Sequence, residues 1–292
     1  MGIVGRVGRK GTTLGDHEEI SSPMSMRDVL SKTAHRPLPL PPGRWVMSQR
    51  WNDLLFAHWP MRASEIDELL PEQLVADTYH GSAWLGVVPF WMDKIRVRGL
   101  PPIPGARQTP ELNLRTYVRD RQTGTPGVYF LSLDAGNLMA VMVARSFFHL
   151  PYYWAQMSVQ PRGEREFSFY SRRLLSRKPV LFSARYRGLG PTRRLAQSRP
   201  GSIEAFLTER YCLFTRDPLG RLLRANIHHV PWPLEEAEAE IEQNDLATAV
   251  GLRLPDTKPL LHYSRRLAVY IWSADLMHAA VLRPGTAVAA AQ

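Results

Sequence analysis

The sequence predicts an α+β protein, antiparallel and β-rich, with one buried helix and several peripheral ones. Three observations predict it. Segments of strand character recur along the chain, joined by short turns. No regular β–α alternation suggests a parallel sheet. Eight tryptophans and 24 prolines in 292 residues suit a turn-rich β protein better than a helical bundle. A hydrophobic content of 44% is enough for a substantial core.

Residues 1–25 are rich in Gly, Ser and charge without periodicity. They read as disordered, or as a start codon placed too early, with Met24 and Met26 as alternatives. "MRDVLSKTA" reads as a short helix and "RPLPLPPG" as a polyproline linker. Residues 1–44 are therefore expected to form a disordered, basic and Pro-rich tail, 45–282 a single β-rich domain, and 283–292 a loose C-terminal tail.

"WVMSQRWNDLLFAHWP" is expected to begin as helix and end as strand. In "SEIDELLP", Ser64 and Asp67 frame a short helix that Pro71 ends. "LVADTYHGSAWLGVVPFWM" reads as strand, His-Gly turn and strand. "PELNLRTYVRD" and "GVYFLSLDA" form a hairpin. "NLMAVMVARSFFHL" is apolar nearly all round and reads as a buried helix, ended by Pro151. "YYWAQMSV", "REFSFYSRR" and "PVLFSARYRG" are strands, and "SIEAFLTERY" is a helix capped by Ser202. "LFTRD" and "RLLRANIHHV" surround a Pro-Leu-Gly turn. "EEAEAEIEQN" is expected to be an acidic surface helix, and "RRLAVYIWS" a last strand.

The net charge of +10 does not point to nucleic acid. The arginines are dispersed, and the lysines are only Lys10, Lys32, Lys94, Lys178 and Lys258. The single cysteine, Cys212, excludes an intramolecular disulfide and a multi-thiolate zinc site, and its apolar neighbours suit a buried structural thiol. No membrane span or secretory signal is visible, so a cytoplasmic protein is expected. No metal-ligand spacing, phosphate-binding glycine loop or serine-hydrolase elbow is present, so no metal or cofactor is expected. His228 and His229 alternate faces and do not ligate one metal together from a straight strand.

Two stretches carry chemistry. On a strand, Glu111, Asn113, Arg115 and Tyr117 share one face. Spacing alone favours a half-buried strand with that face in water. Turned into a cavity, the same face would supply an acid/base group, an anion clamp and hydrogen-bonding partners. In "ARSFFHLPYYWA", Arg145 and His149 share a helix face, and Arg145 needs a partner if buried, with Asp134 or Glu111 as candidates. Tyr152 and Tyr153 point to opposite faces of a strand, so at most one of them faces a given cavity.

The ordered motifs "LLFAHWPM", "GSAWLGVVPFWM", "GLPPIPG", "PELNLRTYVRD", "PGVYFLSLDA", "ARSFFHLPYYWA", "FLTERYCLF", "HHVPWP" and "LLHYSRRLAVYIW" resemble an uncharacterised bacterial family typified by YqjF, from about Trp45 to Ser273. That family is similar to a distant branch of the acetoacetate decarboxylase-like fold. The resemblance implies a closed, cone-shaped β-barrel with an internal site, and Glu111 as its cavity glutamate. It also implies homo-oligomers through an edge strand as an open question. Acetoacetate decarboxylases carry A-R-x-x-x-G-x-P-K-K, whose first lysine forms an imine with the ketone and whose second depresses its neighbour's pKa. Here Ala144, Arg145 and Pro151 match, and Tyr152 and Tyr153 stand where the lysines should be. A phenol forms no imine, so Schiff-base decarboxylation is not expected.

The expected function is binding of a small acidic or carbonyl compound, such as a keto acid, with Asn113, Arg115, Arg145 and His149 as ligand contacts. The alternative is an enzyme in which Glu111 moves a proton and Tyr152 or Tyr153 donates to an oxyanion, in hydration, enolisation or lactone opening.

Overall fold

The computed structural model describes residues 24–101, 108–137, 149–190 and 199–277. Its strands are β1 (Met47–Met61), β2 (Leu74–Ala76), β3 (Ala83–Val97), β4 (Thr109–Asp120), β5 (Pro126–Ala135) and β6 (Tyr152–Pro161). They continue as β7 (Glu166–Arg173), β8 (Leu181–Gly188), β9 (Cys212–Arg216), β10 (Leu222–His228), β11 (Leu234–Asn244) and β12 (Leu260–Leu276). Four short helices accompany them among the described residues: α1 (Met26–Ser31), α2 (Ala63–Asp67), α3 (Ile203–Thr208) and α4 (Leu246–Ala249). The expected buried helix "NLMAVMVARSFFHL" and Arg145 fall almost wholly outside the described residues.

The sheet closes on itself. Following the pairs β12–β1, β1–β3, β3–β4, β4–β5, β5–β9, β9–β10 and β10–β12 returns to the starting strand. A second path from β5 to β12 runs through β6, β7, β8 and β11. The fold is the α+β, antiparallel β-rich architecture expected, and strand alternation sorts its side chains into two cores. Leu55, Ala57, Leu85, Val87, Leu112 and Leu114 pack into one, while Leu54, Phe56, Val88, Phe90 and Met92 pack into the other. Both faces of β1, β3 and β4 are thus covered by protein.

Three expectations are corrected. β1 is strand from Met47 onward, because both of its edges are held: Met47 pairs with Ile271 of β12 and Val97 of β3. Bulges near Ser48 and Asn52, with Asp53 at φ 50°, break the alternation and hid the strand. "EEAEAEIEQN" is strand β11. Its Ala and Ile side chains pack inward, and Glu238 and Glu240 pair with Arg187 at 2.6 Å and Arg185 at 2.7 Å on β8. Ser64 lies inside α2, whose N-cap position is Arg62.

Part of the expected N-terminal tail is docked. Ser25 and Asp28 close a capping box on α1, and Val29 packs against Tyr270 and Trp272. The Arg36 guanidinium donates to the Ile227 carbonyl at 2.7 Å.

Asp53 anchors the bulge. It accepts from Trp91 Nε1 at 2.9 Å and the Tyr263 hydroxyl at 2.5 Å, while its carbonyl accepts from Tyr186 at 2.8 Å. The Tyr263 ring lies over Gly188, so a Cβ there would collide with it. Gly188→Ala should therefore lower the urea midpoint, at a cost of about 1–3 kcal/mol. An unchanged midpoint would mean that Tyr263 is free to move.

Candidate functional site

β4 carries the site. Its Leu112 and Leu114 are anchored in the first core, which forces Glu111, Asn113 and Arg115 to the opposite face. That face does not meet water. It meets a cavity of about 120 Å³ walled by residues of β1, β3, β5, β6, β9 and β10 and of the segments around α3 and Trp232. Phe90, Leu133 and Leu213 contribute an apolar lining.

Glu111 is only 5% exposed. The Tyr152 hydroxyl donates to its Oε2 at 2.9 Å. Burial pushes the Glu111 carboxyl up to about 7, against the opposing pull of hydrogen bonds from Tyr152 and Asn113. Burial, and then the neighbouring Glu111, hold the Tyr152 phenol well above its ordinary range. Register explains how two residues 41 apart meet: Tyr152 lies beside Leu133 of β5, which lies opposite Asn113 of β4.

Arg115 is 8% exposed, and no carboxylate among the described residues pairs with it. Its guanidinium sits 5.3 Å from the Phe56 ring centre and 5.7 Å from that of Tyr117, and Nη2 approaches the Leu207 carbonyl at 3.5 Å. Its Nε reaches no acceptor. Arg210, also in the wall, is held by Asp77 at 2.7 Å, and Arg119 shares that carboxylate at 2.7 Å. Arg210 and Arg115 thus lie 5.2 Å and 5.7 Å from the same Tyr117 ring, the first paired with a carboxylate and the second with none among the described residues. His58, packed beside Arg115 over Gly86, contacts the Tyr117 hydroxyl at 2.6 Å and is held well below its ordinary pKa by burial and then by Arg115.

Glu111, Asn113, Arg115 and Tyr152 come together in one cavity. Tyr153 does not join them. It is 40% exposed on the other face of β6, beneath the Arg173 guanidinium at 4.1 Å, and is withdrawn as a catalytic candidate. His149 lies outside the cavity lining. Its carbonyl accepts from Thr215 at 2.7 Å, and its φ of 50° places a left-handed residue where the decarboxylase pattern has glycine. Asp134, considered as a partner for Arg145, pairs with Arg173 at 2.6 Å. Cys212 is buried, its thiol pushed up to about 12 by burial. Lys32, Lys94, Lys178 and Lys258 are all exposed.

Thr109, Arg210, His229 and Trp232 also line the cavity and escaped the sequence reading. Thr109 was within reach, being two residues before Glu111 on the same strand face. The Thr109 hydroxyl, Asn113 Oδ1 and Trp232 Nε1 are buried without hydrogen-bond partners, like Arg115 Nε. Unsatisfied polar atoms gathered in one cavity are what a polar ligand would satisfy. No group of three or more His, Cys, Asp or Glu among the described residues is placed to hold a metal. No helix among them is long and apolar enough to cross a membrane.

Residues 48–268 match the DUF2071 family, described as an uncharacterized conserved protein. The chain is 45% identical over 235 residues to the uncharacterized protein YqjF of Bacillus subtilis (strain 168), covering 80% of this chain and 94% of that protein. Among solved structures it is similar to an acetoacetate decarboxylase from Legionella pneumophila (TM-score 0.56, 10% identity, 83% of this chain and 92% of the other). It is also similar to the enduracididine biosynthesis enzyme MppR complexed with pyruvate (TM-score 0.55, 13% identity, 88% and 96%). At such identities the structures speak for fold alone. The chain belongs to the DUF2071 family of uncharacterized conserved proteins, with YqjF among its relatives, and has the acetoacetate decarboxylase-like fold.

Proposed function

We propose that the cavity binds a small oxo acid or related carbonyl compound, and that Glu111 with Tyr152 moves a proton at the carbon beside the carbonyl. The observation that carries this is a buried carboxyl, pushed up to about 7 by that burial, that accepts a hydrogen bond from a phenol in a largely apolar cavity. A base poised near neutral pH is suited to abstracting and returning protons. In the proposed step the C–H bond breaks, its electrons form the enolate, and Glu111 takes the proton. The Tyr152 hydroxyl turns from Glu111 to the developing oxyanion. Glu111 then returns a proton to carbon. No imine enters, because no lysine among the described residues lines the cavity. A binder without chemistry is the second reading, favoured by the largely apolar wall.

Proton NMR in D2O separates the two readings. Ketones and oxo acids, with pyruvate as a first probe because MppR binds it, should exchange their α-protons about 100-fold or more faster with protein than without. The rate should rise with pH around a midpoint near 7, as Glu111 loses its proton, and Glu111→Gln should abolish it. Thermal stabilisation by the same compounds without exchange would support the binder. Neither exchange nor stabilisation would overturn both.

A further inference from the structure

Asn113 holds an acceptor that the protein leaves unused. It is 5% exposed and lies on the cavity face of β4, between Glu111 and Arg115. Glu111 orients its amide. The NH2 group donates to that carboxyl, because an ionised carboxylate only accepts. The amide oxygen is therefore turned from Glu111, buried and without a hydrogen-bond partner.

The surrounding side chains do not satisfy it. Register sets Val88 of β3 on one side of Asn113 and Leu133 of β5 on the other, and both are apolar residues of the cavity wall. Tyr152, beside Leu133, gives its hydroxyl proton to Glu111. Arg115, next along this face, turns to the Leu207 carbonyl and to Tyr117. Water can occupy such a position in the free protein, but a ligand that displaces water has to return a donor. An oxygen left facing a methyl group or another acceptor weakens the complex. The carbonyl and carboxylate of a simple oxo acid only accept, so neither suits Asn113. A donor is required elsewhere on the ligand. It lies beside the reacting carbon, because one amide contacts both the base and the donor. A hydroxyl fits better than an ammonium, whose charge is costly in a buried, largely apolar site.

We infer that the ligand is an α-hydroxy carbonyl compound, its hydroxyl donating to Asn113 Oδ1 and its hydroxyl-bearing carbon facing Glu111. The inference rests on the proposed function for the position of the reacting carbon, and takes the donor from Asn113. Glu111 takes the proton of the hydroxyl-bearing carbon, the C–H electrons form the enediolate, and Tyr152 donates to its oxyanion. The hydroxyl stays bonded to Asn113 throughout, so Asn113 selects the substrate without itself moving a proton.

Hydroxyacetone, butanone, methoxyacetone and 4-hydroxybutan-2-one test it. Butanone replaces the hydroxyl with a methyl group of similar size. Methoxyacetone keeps the oxygen but has no proton on it, and 4-hydroxybutan-2-one moves the hydroxyl one carbon farther. Affinity is read by calorimetry and α-proton exchange by NMR, each exchange rate being divided by its rate in buffer. Hydroxyacetone should bind about tenfold or more tighter than the other three, and its CH2OH protons should show the largest acceleration. Asn113→Leu, similar in shape but without polar atoms, should shrink that preference to within about twofold, whatever it does to Glu111. The wild-type comparison needs no variant to fold. Equal affinity for hydroxyacetone and butanone would overturn the inference, and exchange in both would leave the Glu111 reading intact. Equal or tighter binding of methoxyacetone or 4-hydroxybutan-2-one would also overturn it, as would a preference that survives in Asn113→Leu. A preference for hydroxyacetone without exchange would support the hydroxyl site and defeat the proton-transfer reading. Failure of all four compounds to bind would overturn both.

Discussion

Glu111→Gln should stabilise the protein above neutral pH and leave its stability unchanged in mild acid. The reason is linkage. The folded carboxyl keeps its proton until about pH 7, whereas an unfolded one releases it near 4.5. Between these values the folded state binds more protons than the unfolded state, so stability falls as pH rises. The loss is complete above about pH 7 and absent below about 4.5. The gap corresponds to about 3 kcal/mol, an order of magnitude for a fully buried group. Glutamine has the same shape, accepts from the Tyr152 hydroxyl and never ionises. Urea unfolding of both proteins at pH 5 and pH 8 measures the effect. A gain at pH 8 that shrinks at pH 5 is expected, and an equal difference at both would contradict a raised Glu111.

Asp134→Ala should cost about 3–5 kcal/mol, the largest loss expected of any single change here. Asp134 and Arg173 are 1% and 4% exposed at their side chains and meet at 2.6 Å. Ser171 donates to the other carboxylate oxygen at 3.1 Å, and Arg173 Nη2 donates to Ser132 at 2.6 Å. The network ties β5 to β7 across β6. Removing the carboxylate strands a buried guanidinium, which is worse than losing the pair. Asp134→Leu combined with Arg173→Met should therefore be milder than Asp134→Ala, and urea midpoints would reveal it. Tyr153 pairs in register with Asp134, and the neighbouring Tyr152 pairs with Leu133. Asp134→Ala should thus also weaken ligand binding by displacing Tyr152.

The strand content was legible because apolar alternation and turn chemistry agree over most of the chain. It failed where they conflict. In "EEAEAEIEQN" Glu and Ala favour helix, yet they alternate with period two, and the inward Ala–Ala–Ile face decided the outcome. In β1 the bulges interrupt the period that would have marked it as strand. The strand face of Glu111, Asn113 and Arg115 was readable from spacing, but whether it met water or a cavity was not. That depends on what covers the opposite side of β4, and the resemblance to a known fold supplied the answer. The alternation rule correctly allowed only one of Tyr152 and Tyr153 to face inward, without saying which. Trp232 and Arg210 were missed because their cavity positions come from pairings across long stretches of chain, such as the Arg210 bond to Asp77, 133 residues away.

Burial beside Tyr152 should make Glu111 titrate near neutral pH. Carbon NMR of protein labelled at the glutamate carboxyls, compared with Glu111→Gln to assign the resonance, reads this directly. A carboxyl titrating at about 7 is the expected result, and one titrating near the ordinary 4.5 would contradict it.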